Sequence, residues 1–547
     1  MYASYLKIWY NSGMRNPLET GPSPAARPNS APPLSELMQG LLALLGSQRR
    51  PHWTGTKIHV PEITAGAYFV YEQLRNAVEY REQHLFIRGA IERFLLRELR
   101  PGQTEDIGFE LVSELTKTRY LANDSTPDDL VEHLNFLVKR YGMLQRAALK
   151  HTSDATEEMA ELIVQLLSVE LGRALHPSPT EAAIVEFTYA AFLDRADVAE
   201  NELLSLYAAV HKSLLKSDLA TIRYGVFSRT YPRWIEDDTQ LEAAAAGFLK
   251  LLRALAEQMQ GSTSHRMSRL VRRHIPPYLI LREIIKTNPQ ALEELTGTQS
   301  QLLERARAVA EEEYQIVSGR LRRSVIQAVI FLFITKMVLG ILVEVPYELF
   351  AYGHIEYLPL AINLLFPPVY MAMVGFTIKV PGQRNTMKIL SDLKAIVYQT
   401  DRPLVYSLRR RGRASKLRGA FNLFYGLTSL ATLAGISFAL QAIGFNLVSA
   451  MIFFIFLSTV SFFAYRISFS VREYAVIEED AGIIANLSDF LLTPFIRVGQ
   501  WLAERYSRIN IFTTILDIII ETPFKTILRM IEQWNTFLRD KRDDVLR

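Results

Sequence analysis

Four apolar runs between residues 324 and 470 constrain this chain more than any other feature of its sequence. Each run approaches the roughly 20 apolar residues that a helix needs to cross a bilayer. The runs are Ser324–Val343, Tyr357–Ile378, Ala420–Leu440 and Asn446–Tyr465. The sequence therefore predicts an integral membrane protein with four transmembrane helices. Lys336 is the only charged side chain within the runs.

The distribution of basic residues predicts the topology, because short loops rich in Lys and Arg resist translocation and stay on the cytoplasmic side. The loop 379–419 carries eleven Lys and Arg residues against two Asp residues, a local charge of +9. The segment Glu344–Glu356 carries three Glu residues and no Lys or Arg. We therefore expect a multi-pass protein of the inner (plasma) membrane with both termini in the cytoplasm.

The rest of the 547 residues divides into three parts. Proline-rich residues 1–60 predict a mobile tail, in which the short apolar run Leu37–Gly46 indicates a docking or interfacial helix. Apolar residues at three- and four-residue spacing across residues 61–323 predict a large all-α cytoplasmic domain. Residues 471–547 predict amphipathic helices at the membrane interface. The predicted fold class is all-α, with residues 324–470 as the transmembrane block.

The clearest of the amphipathic helices follows Thr522-Pro523, a pair typical of a helix start. Its apolar stripe, which we expect at the membrane interface, consists of Phe524, Ile527, Ile531, Trp534 and Leu538. A second set of residues, all basic and all in the loop 379–419, is expected to contact anionic lipid: Arg409, Arg410, Arg411, Arg413, Lys416 and Arg418. Together the loop and the helix predict a lipid-facing collar on the cytoplasmic side.

Lys336 has two interpretations, since a lysine at the centre of a spanning helix costs on the order of 3 kcal/mol unless it is paired or hydrated. It lies either on an ion or solute path with Glu344 and Glu348 at the outer mouth of its helix, or in a structural role in which it snorkels or pairs with a carboxylate such as Asp517. The structural interpretation is favoured, because transport sites usually gather several polar groups.

Pro367-Pro368 predicts a kinked or broken second span, with Asn363 one turn earlier. Transporters expose backbone carbonyls in such breaks, although prolines in membrane helices also serve packing alone. Lys336, Glu344 and Asn363 are thus the candidate polar residues inside the membrane.

A partner-binding surface is predicted in the segment YGVFSRTYPRWIEDD (224–238). Tyr231, Arg233 and Trp234 are residue types enriched at binding hot spots. A buried corner between two helices accounts for the same aromatic residues and is the favoured alternative.

The motifs that would indicate an enzyme do not occur in the sequence. The chain has no cysteine, no phosphate-binding loop, no GxGxxG after a strand and no HExxH. Glu478-Glu479-Asp480 could hold a divalent cation, but a solvated acidic cluster is the commoner explanation. The sequence predicts no catalytic, cofactor or metal site.

These patterns favour a non-enzymatic membrane scaffold or anchor whose cytoplasmic helical domain recruits a protein partner. The alternative is a small-solute or ion transporter or channel that uses Lys336 and a proline-broken second span. Few aromatic residues interleave with the basic cluster, which argues against nucleic acid as a partner. The sequence leaves the oligomeric state open.

Two segments resemble a family of uncharacterised multi-spanning membrane proteins from small-genome candidate-phylum bacteria. They are LRRSVIQAVIFLFITKMVLGILVEVPYELFAYGHIEYLPLAINLLFPPVYMAMVGFTIKVPGQRNT (321–386) and INIFTTILDIIIETPFKTILRMIEQWNTFLRDKRDDV (509–545). The resemblance implies a bacterial inner-membrane protein and brings no functional residue with it.

Overall fold

The computed structural model describes residues 32–47, 53–61, 65–78, 83–99, 106–151, 156–289, 291–378, 380–400, 404–407, 418–477, 490 and 492–502. Within these residues the secondary structure is helical, and the only strand-like features are three isolated β-bridges. The predicted all-α fold class is confirmed.

Thirteen α-helices precede the first membrane helix in the described part of the chain, and their apolar faces meet in one continuous core. They are α1 (Glu36–Ser47), α2 (Ala65–Val78), α3 (Gln83–Glu98), α4 (Ile107–Lys117), α5 (Asp128–His151), α6 (Thr156–Leu175), α7 (Pro179–Arg195), α8 (Leu203–Leu214), α9 (Leu219–Thr230), α10 (Asp238–Gln260), α11 (Ser262–His274), α12 (Pro276–Thr287) and α13 (Ala291–Thr296). Their apolar residues recur at helical spacing, which buries one side of each helix and leaves the other to solvent.

Helix α1 lies inside the stretch that the sequence predicts as a mobile tail. It packs against α7, and its Met38 and Leu41 are almost completely buried. The backbone N–H of Ser35 donates to the carbonyl of Val397 at 2.9 Å. The docking helix expected at Leu37–Gly46 is therefore confirmed, whereas the mobile-tail prediction is wrong for these residues, because this short run has enough apolar surface to dock on the domain. Residues 1–31 lie outside the described residues.

Helix α14 (Gln299–Leu339) runs without interruption from the soluble core into the apolar segment. Leu302, Ala306 and Val309 belong to the core of the soluble helices, whereas Leu332 belongs to a second core formed by the apolar helices. At a rise of about 1.5 Å per residue, α14 is about 60 Å long. One rigid element therefore belongs to both parts of the protein.

Four helices are long and apolar enough to cross a membrane, as the sequence predicts. The first is α14 with its continuation α15 (Val345–Tyr352), and the others are α16 (Tyr357–Thr377), α18 (Arg418–Ala442) and α19 (Leu447–Val471). They expose large apolar side chains, among them Phe376 at 91% and Phe438 at 73%. Contiguous apolar surface of this extent is typical of contact with lipid.

The apolar helices pack unequally. Helices α14, α16 and α19 form the second core, and α14 approaches α16 so closely that a Cβ atom on Gly375 would lie 2.6 Å from Cγ1 of Val325. Glycine at this position lets the two backbones meet. Helix α18 contributes least, because only 6% of the most apolar stretch within Leu423–Ala442 is buried.

A further helix covers residues 492–502 in the part predicted to lie at the membrane interface. Its Phe495 belongs to the second core and stacks on Phe454 with 6.2 Å between ring centroids. A Cβ atom on Gly499 would lie 2.7 Å from Cβ of Phe462. This helix therefore packs closely beside α19, with contacts that reach the middle of that helix.

The basic loop 379–419 contains a buried helix, α17 (Gln383–Val397). Ile389, Leu393 and Val397 lie in the core of the soluble domain, and α17 packs against α12, α14 and α1. The prediction of a simple lipid-facing loop is wrong for these residues, because their apolar stripe at helical spacing outweighs the surrounding charge. Asp392, one of the two acidic residues of the loop, pairs with Lys388 at 2.6 Å.

The segment after α17 also joins the domain. Tyr406 donates its backbone N–H to the carbonyl of Arg195 at 2.7 Å, and its hydroxyl lies 2.8 Å from that of Tyr278. The ring of His274 stacks on Tyr406 at 4.4 Å. Burial, together with the positive charges of Arg273 and Lys388, lowers the pKa of His274 to about 4, so this ring packs in its neutral form at pH 7.

One buried side chain joins three separate passages of the chain. The amide nitrogen of Asn385 donates to the hydroxyl of Tyr314 at 2.9 Å and to the carbonyl of Tyr474 at 2.7 Å. Its amide oxygen accepts from the backbone N–H groups of Val476 at 2.7 Å and Ile477 at 3.1 Å. The chain before the first span, after the second and after the fourth therefore meet at one end of the apolar bundle.

Candidate functional site

A buried polar cluster lies between the apolar helices α14, α15, α16 and α19. Its members share almost complete burial, with at most 2% of each residue exposed: Lys336, Glu344, Glu348, Asn363 and Ser449. Polar groups are rare and costly inside a membrane protein, so a group of them between spanning helices is a candidate functional site.

Lys336 and Glu344 form the ion pair of this cluster. Nζ of Lys336 lies 3.2 Å from Oε1 of Glu344, and each side chain is 1% exposed. The ammonium group also faces the ring of Phe456, 4.5 Å from its centroid. An ammonium over an aromatic face gains further electrostatic stabilisation where water is excluded.

Asn363 extends the cluster from α14 to α16 and α19. Its amide nitrogen donates to Oε1 of Glu344 and to the backbone carbonyl of Ser449, the latter at 3.2 Å. Its amide oxygen is buried and has no hydrogen-bond partner. The amide nitrogen of Asn363 is thus fully used by the carboxyl group of Glu344 and the carbonyl of Ser449, while the amide oxygen of Asn363 has no donor.

Glu348 continues the polar line toward the end of the bundle where the first and second spans join. Its Oε2 accepts from the backbone N–H of Glu356 at 3.0 Å, and its Oε1 accepts from the amide of Asn446 at 3.2 Å. Beyond it, Nε2 of His354 lies 3.1 Å from Oε1 of Glu356 at the surface. The cluster therefore extends from the interior of the bundle to its exposed end.

The segment Glu344–Glu356, expected to form the outward-facing connection between the first and second spans, is mostly helical, and two of its glutamates are buried. The helix continues through a π-helical segment, Gly340–Glu344, and then through α15 to Tyr352. Gly353 ends it in the left-handed conformation with φ of 72°. Because the helix continues, Glu344 and Glu348 face the neighbouring helices, and only residues 353–356 connect the first two spans.

Of the two expectations for Pro367-Pro368, a broken helix is wrong, since α16 is continuous from Tyr357 to Thr377 with both prolines inside it. Pro367 nevertheless lacks the N–H that would otherwise donate to the carbonyl of Asn363. The backbone carbonyl of Asn363 is therefore left without this intrahelical donor, close to the cluster, while the helix itself stays continuous.

The structure thus brings together all three intramembrane residues singled out in the sequence, Lys336, Glu344 and Asn363. Sequence reasoning missed Asn446, Ser449 and Phe456, because a span boundary and a short polar residue in an apolar run carry little signal. Asn446 has one local indication, since its side chain caps α19 by accepting from the N–H of Ser449 at 2.8 Å.

Most of the predicted lipid contacts cannot be placed. Arg409, Arg410, Arg411, Arg413 and Lys416 lie outside the described residues, and Arg418 is the first residue of α18. The stripe Phe524, Ile527, Ile531, Trp534 and Leu538 lies outside them as well, as do Asp517 and Glu478-Glu479-Asp480. The predicted lipid contacts, the interfacial stripe and the acidic cluster therefore stay predictions.

The predicted partner-binding residues occupy different environments. Trp234 is 2% exposed and packs edge-on against Tyr141 at 4.8 Å and near Phe227 at 5.5 Å. Tyr231 is half-buried, and Arg233 is exposed. The burial of Trp234 is what the alternative interpretation, a corner between helices, expects.

Within the described residues, no group of three or more His, Asp or Glu side chains is arranged so that it could hold a metal ion. Comparisons of the chain with protein-family models, with curated proteins and with solved structures find no match.

Lys336→Met is expected to destabilise the protein by about 3 kcal/mol at neutral pH, because the buried carboxyl group of Glu344 loses its counter-charge and must either stay ionised or take up a proton. Lys336→Met/Glu344→Leu should recover most of this loss, since both charges are then absent. Thermal unfolding of the purified protein in detergent measures both variants.

Arg253→Met is the matched control, because its ion pair with Glu158 is exposed on both sides and should contribute little. Equal destabilisation by the single and double variants would contradict the assigned pairing of Lys336 with Glu344.

Proposed function

We propose that the chain is a multi-pass protein of the inner (plasma) membrane with both termini in the cytoplasm. Two observations support this topology. Tyr314, Asn385 and Tyr474 meet at one end of the bundle, as an even number of crossings requires. The loop 379–419, which carries eleven Lys and Arg residues, contains Asn385 and therefore reaches this end of the bundle. This charge favours that end as the cytoplasmic side. Anionic lipid is the proposed contact of residues 409–418, which analysis of lipids co-purified with the full chain would test.

The chain has no cysteine, so single-cysteine variants can report the topology directly. We expect Gln441→Cys, between the third and fourth spans, to react with a membrane-impermeant maleimide on intact spheroplasts. Arg384→Cys, exposed at the start of α17, should react only after permeabilisation. Labelling of Arg384→Cys in intact spheroplasts would rule out the proposed orientation.

We propose further that the protein is a non-enzymatic membrane scaffold, which holds a partner protein on its cytoplasmic helical domain. The observation that carries this proposal is the rigid connection of the domain to the membrane helices. Helix α14 is continuous with the first span, and α17, which lies between the second and third spans in sequence, is built into the domain core. A domain fixed in this way presents its surface at a constant height and orientation above the bilayer.

The surface that best fits a partner is the exposed side of α11. This helix contains four arginines and no acidic residue, and all four are exposed: Arg266, Arg269, Arg272 and Arg273. Arg266 forms an ion pair with Glu202, and Arg269 bonds to the carbonyl of His265 in its own helix. Arginine is enriched at binding hot spots, and charge complementarity would favour an acidic segment of the partner.

Site-specific photo-crosslinking in native membranes tests this proposal. A photoreactive amino acid at position 269 of the full chain should yield one discrete protein adduct, whose crosslinked peptide is acidic. The same amino acid at Glu242, exposed on α10, is the matched control and should yield no such adduct.

The variant Arg272→Glu/Arg273→Glu should abolish the adduct at position 269 by reversing the local charge. An adduct that survives this charge reversal, or that forms equally at position 242, would refute the proposed binding surface.

A further inference from the structure

The membrane cluster has an unequal number of positive and negative groups. It contains two carboxyl groups, on Glu344 and Glu348, and one ammonium group, on Lys336, each 1% exposed. The ammonium pairs with Glu344. The recorded donors to Glu348 are the backbone of Glu356 and the amide of Asn446, which are both neutral. If all three groups were ionised, the cluster would carry a net charge of −1.

No other charged side chain faces this cluster from the helices packed around it in the described structure. Helix α16 contains no Asp, Glu, Lys, Arg or His. The charged residue of α19, Arg466, lies near the opposite end of that helix. His354 and Glu356 are paired with each other at the exposed end, and the tyrosines of α15, Tyr347 and Tyr352, are neutral at pH 7. Among the described residues, therefore, none supplies the positive charge that would balance the cluster, and a bound species would provide it.

Asn363 gives an independent indication of the chemistry of that species. The residue is 0% exposed, its amide nitrogen donates into the cluster, and its amide oxygen has no donor. A buried acceptor without a donor costs about 1–3 kcal/mol. A protonated carboxyl group supplies an O–H donor, which a carboxylate does not.

We propose that Lys336, Glu344 and Glu348 together bind one exchangeable proton, which reaches them from the end of the bundle formed by His354 and Glu356. The proton adds to a carboxylate oxygen of one glutamate, and the ammonium of Lys336 remains charged. The occupied cluster is neutral, as burial between apolar helices requires.

Glu348 lies on the side of the cluster from which the proton is proposed to arrive. Its side chain accepts from the backbone N–H of Glu356, and the carboxyl group of Glu356 lies 3.1 Å from His354 at the exposed end. Glu344 lies one turn further along the same helix face. Glu348 is therefore the member of the cluster next to the exposed end of the bundle. This site is independent of the proposed partner surface on α11.

Infrared difference spectroscopy of the purified full-length protein, in a detergent without ester groups, tests the proposal. At neutral pH the exposed carboxyl groups are ionised, so the C=O stretching band of a protonated carboxyl reports buried groups. Subtracting the spectrum of Glu348→Gln from that of the wild-type protein cancels the contribution of buried carboxyl groups elsewhere, such as Glu170. The difference should contain the band of one carboxyl group, because the ion pair that remains in Glu348→Gln is already neutral.

Lys336→Met provides the sharper test, because without the ammonium two protons are needed for neutrality and the band should double in intensity. Glu110→Gln, an exposed glutamate on α4, is the matched control and should leave the band unchanged. Circular dichroism shows whether each variant is folded. Absence of the band from the difference spectrum, or no increase in folded Lys336→Met, would overturn the proposal.

Discussion

The structure depends on one helix that must be stable in two solvents. Helix α14 begins among the soluble helices, where Leu302 and Ala306 are buried, and ends among apolar helices, where Leu332 and Lys336 are buried. Its backbone hydrogen bonds are internal throughout, so a helix of this kind can pass from water to lipid without an unpaired peptide group. Two of the helices that pack against α14 divide in the same way, since α16 packs beside its apolar part and α17 beside its part in the helical domain.

The polar cluster shows how the apolar part acquires specificity. Apolar side chains alone distinguish poorly between alternative packings of helices in lipid, because lipid tails are equally apolar. Hydrogen bonds from Asn363 to Glu344 and Ser449 fix α16 against both α14 and α19. The cost of burying Lys336 and Glu344 is offset only when all three helices adopt this arrangement. The proposed proton site and the packing of these three helices thus involve the same few side chains.

Sequence patterns predict the elements of this fold better than their contacts. The four spans follow from apolar length, and the all-α class follows from periodicity. The loop 379–419 was judged by its charge, so the apolar stripe of α17 within it was missed. Similarly, glutamates after an apolar run suggested a loop, although a buried lysine about two to three turns earlier allows the helix to continue past them. Trp234 shows that residue type alone does not distinguish a binding surface from a core.

A distance measurement tests most directly whether the N-terminal helical domain is held rigidly on the four apolar helices. Because the chain has no cysteine, spin labels can be placed at Glu242→Cys on α10 and at Gln441→Cys at the far end of the bundle. Double electron–electron resonance should give a single narrow distance distribution, and Asn385→Ala should broaden it by removing the hydrogen bonds that join three passages of the chain. A broad distribution in the protein that retains Asn385 would contradict the rigid attachment.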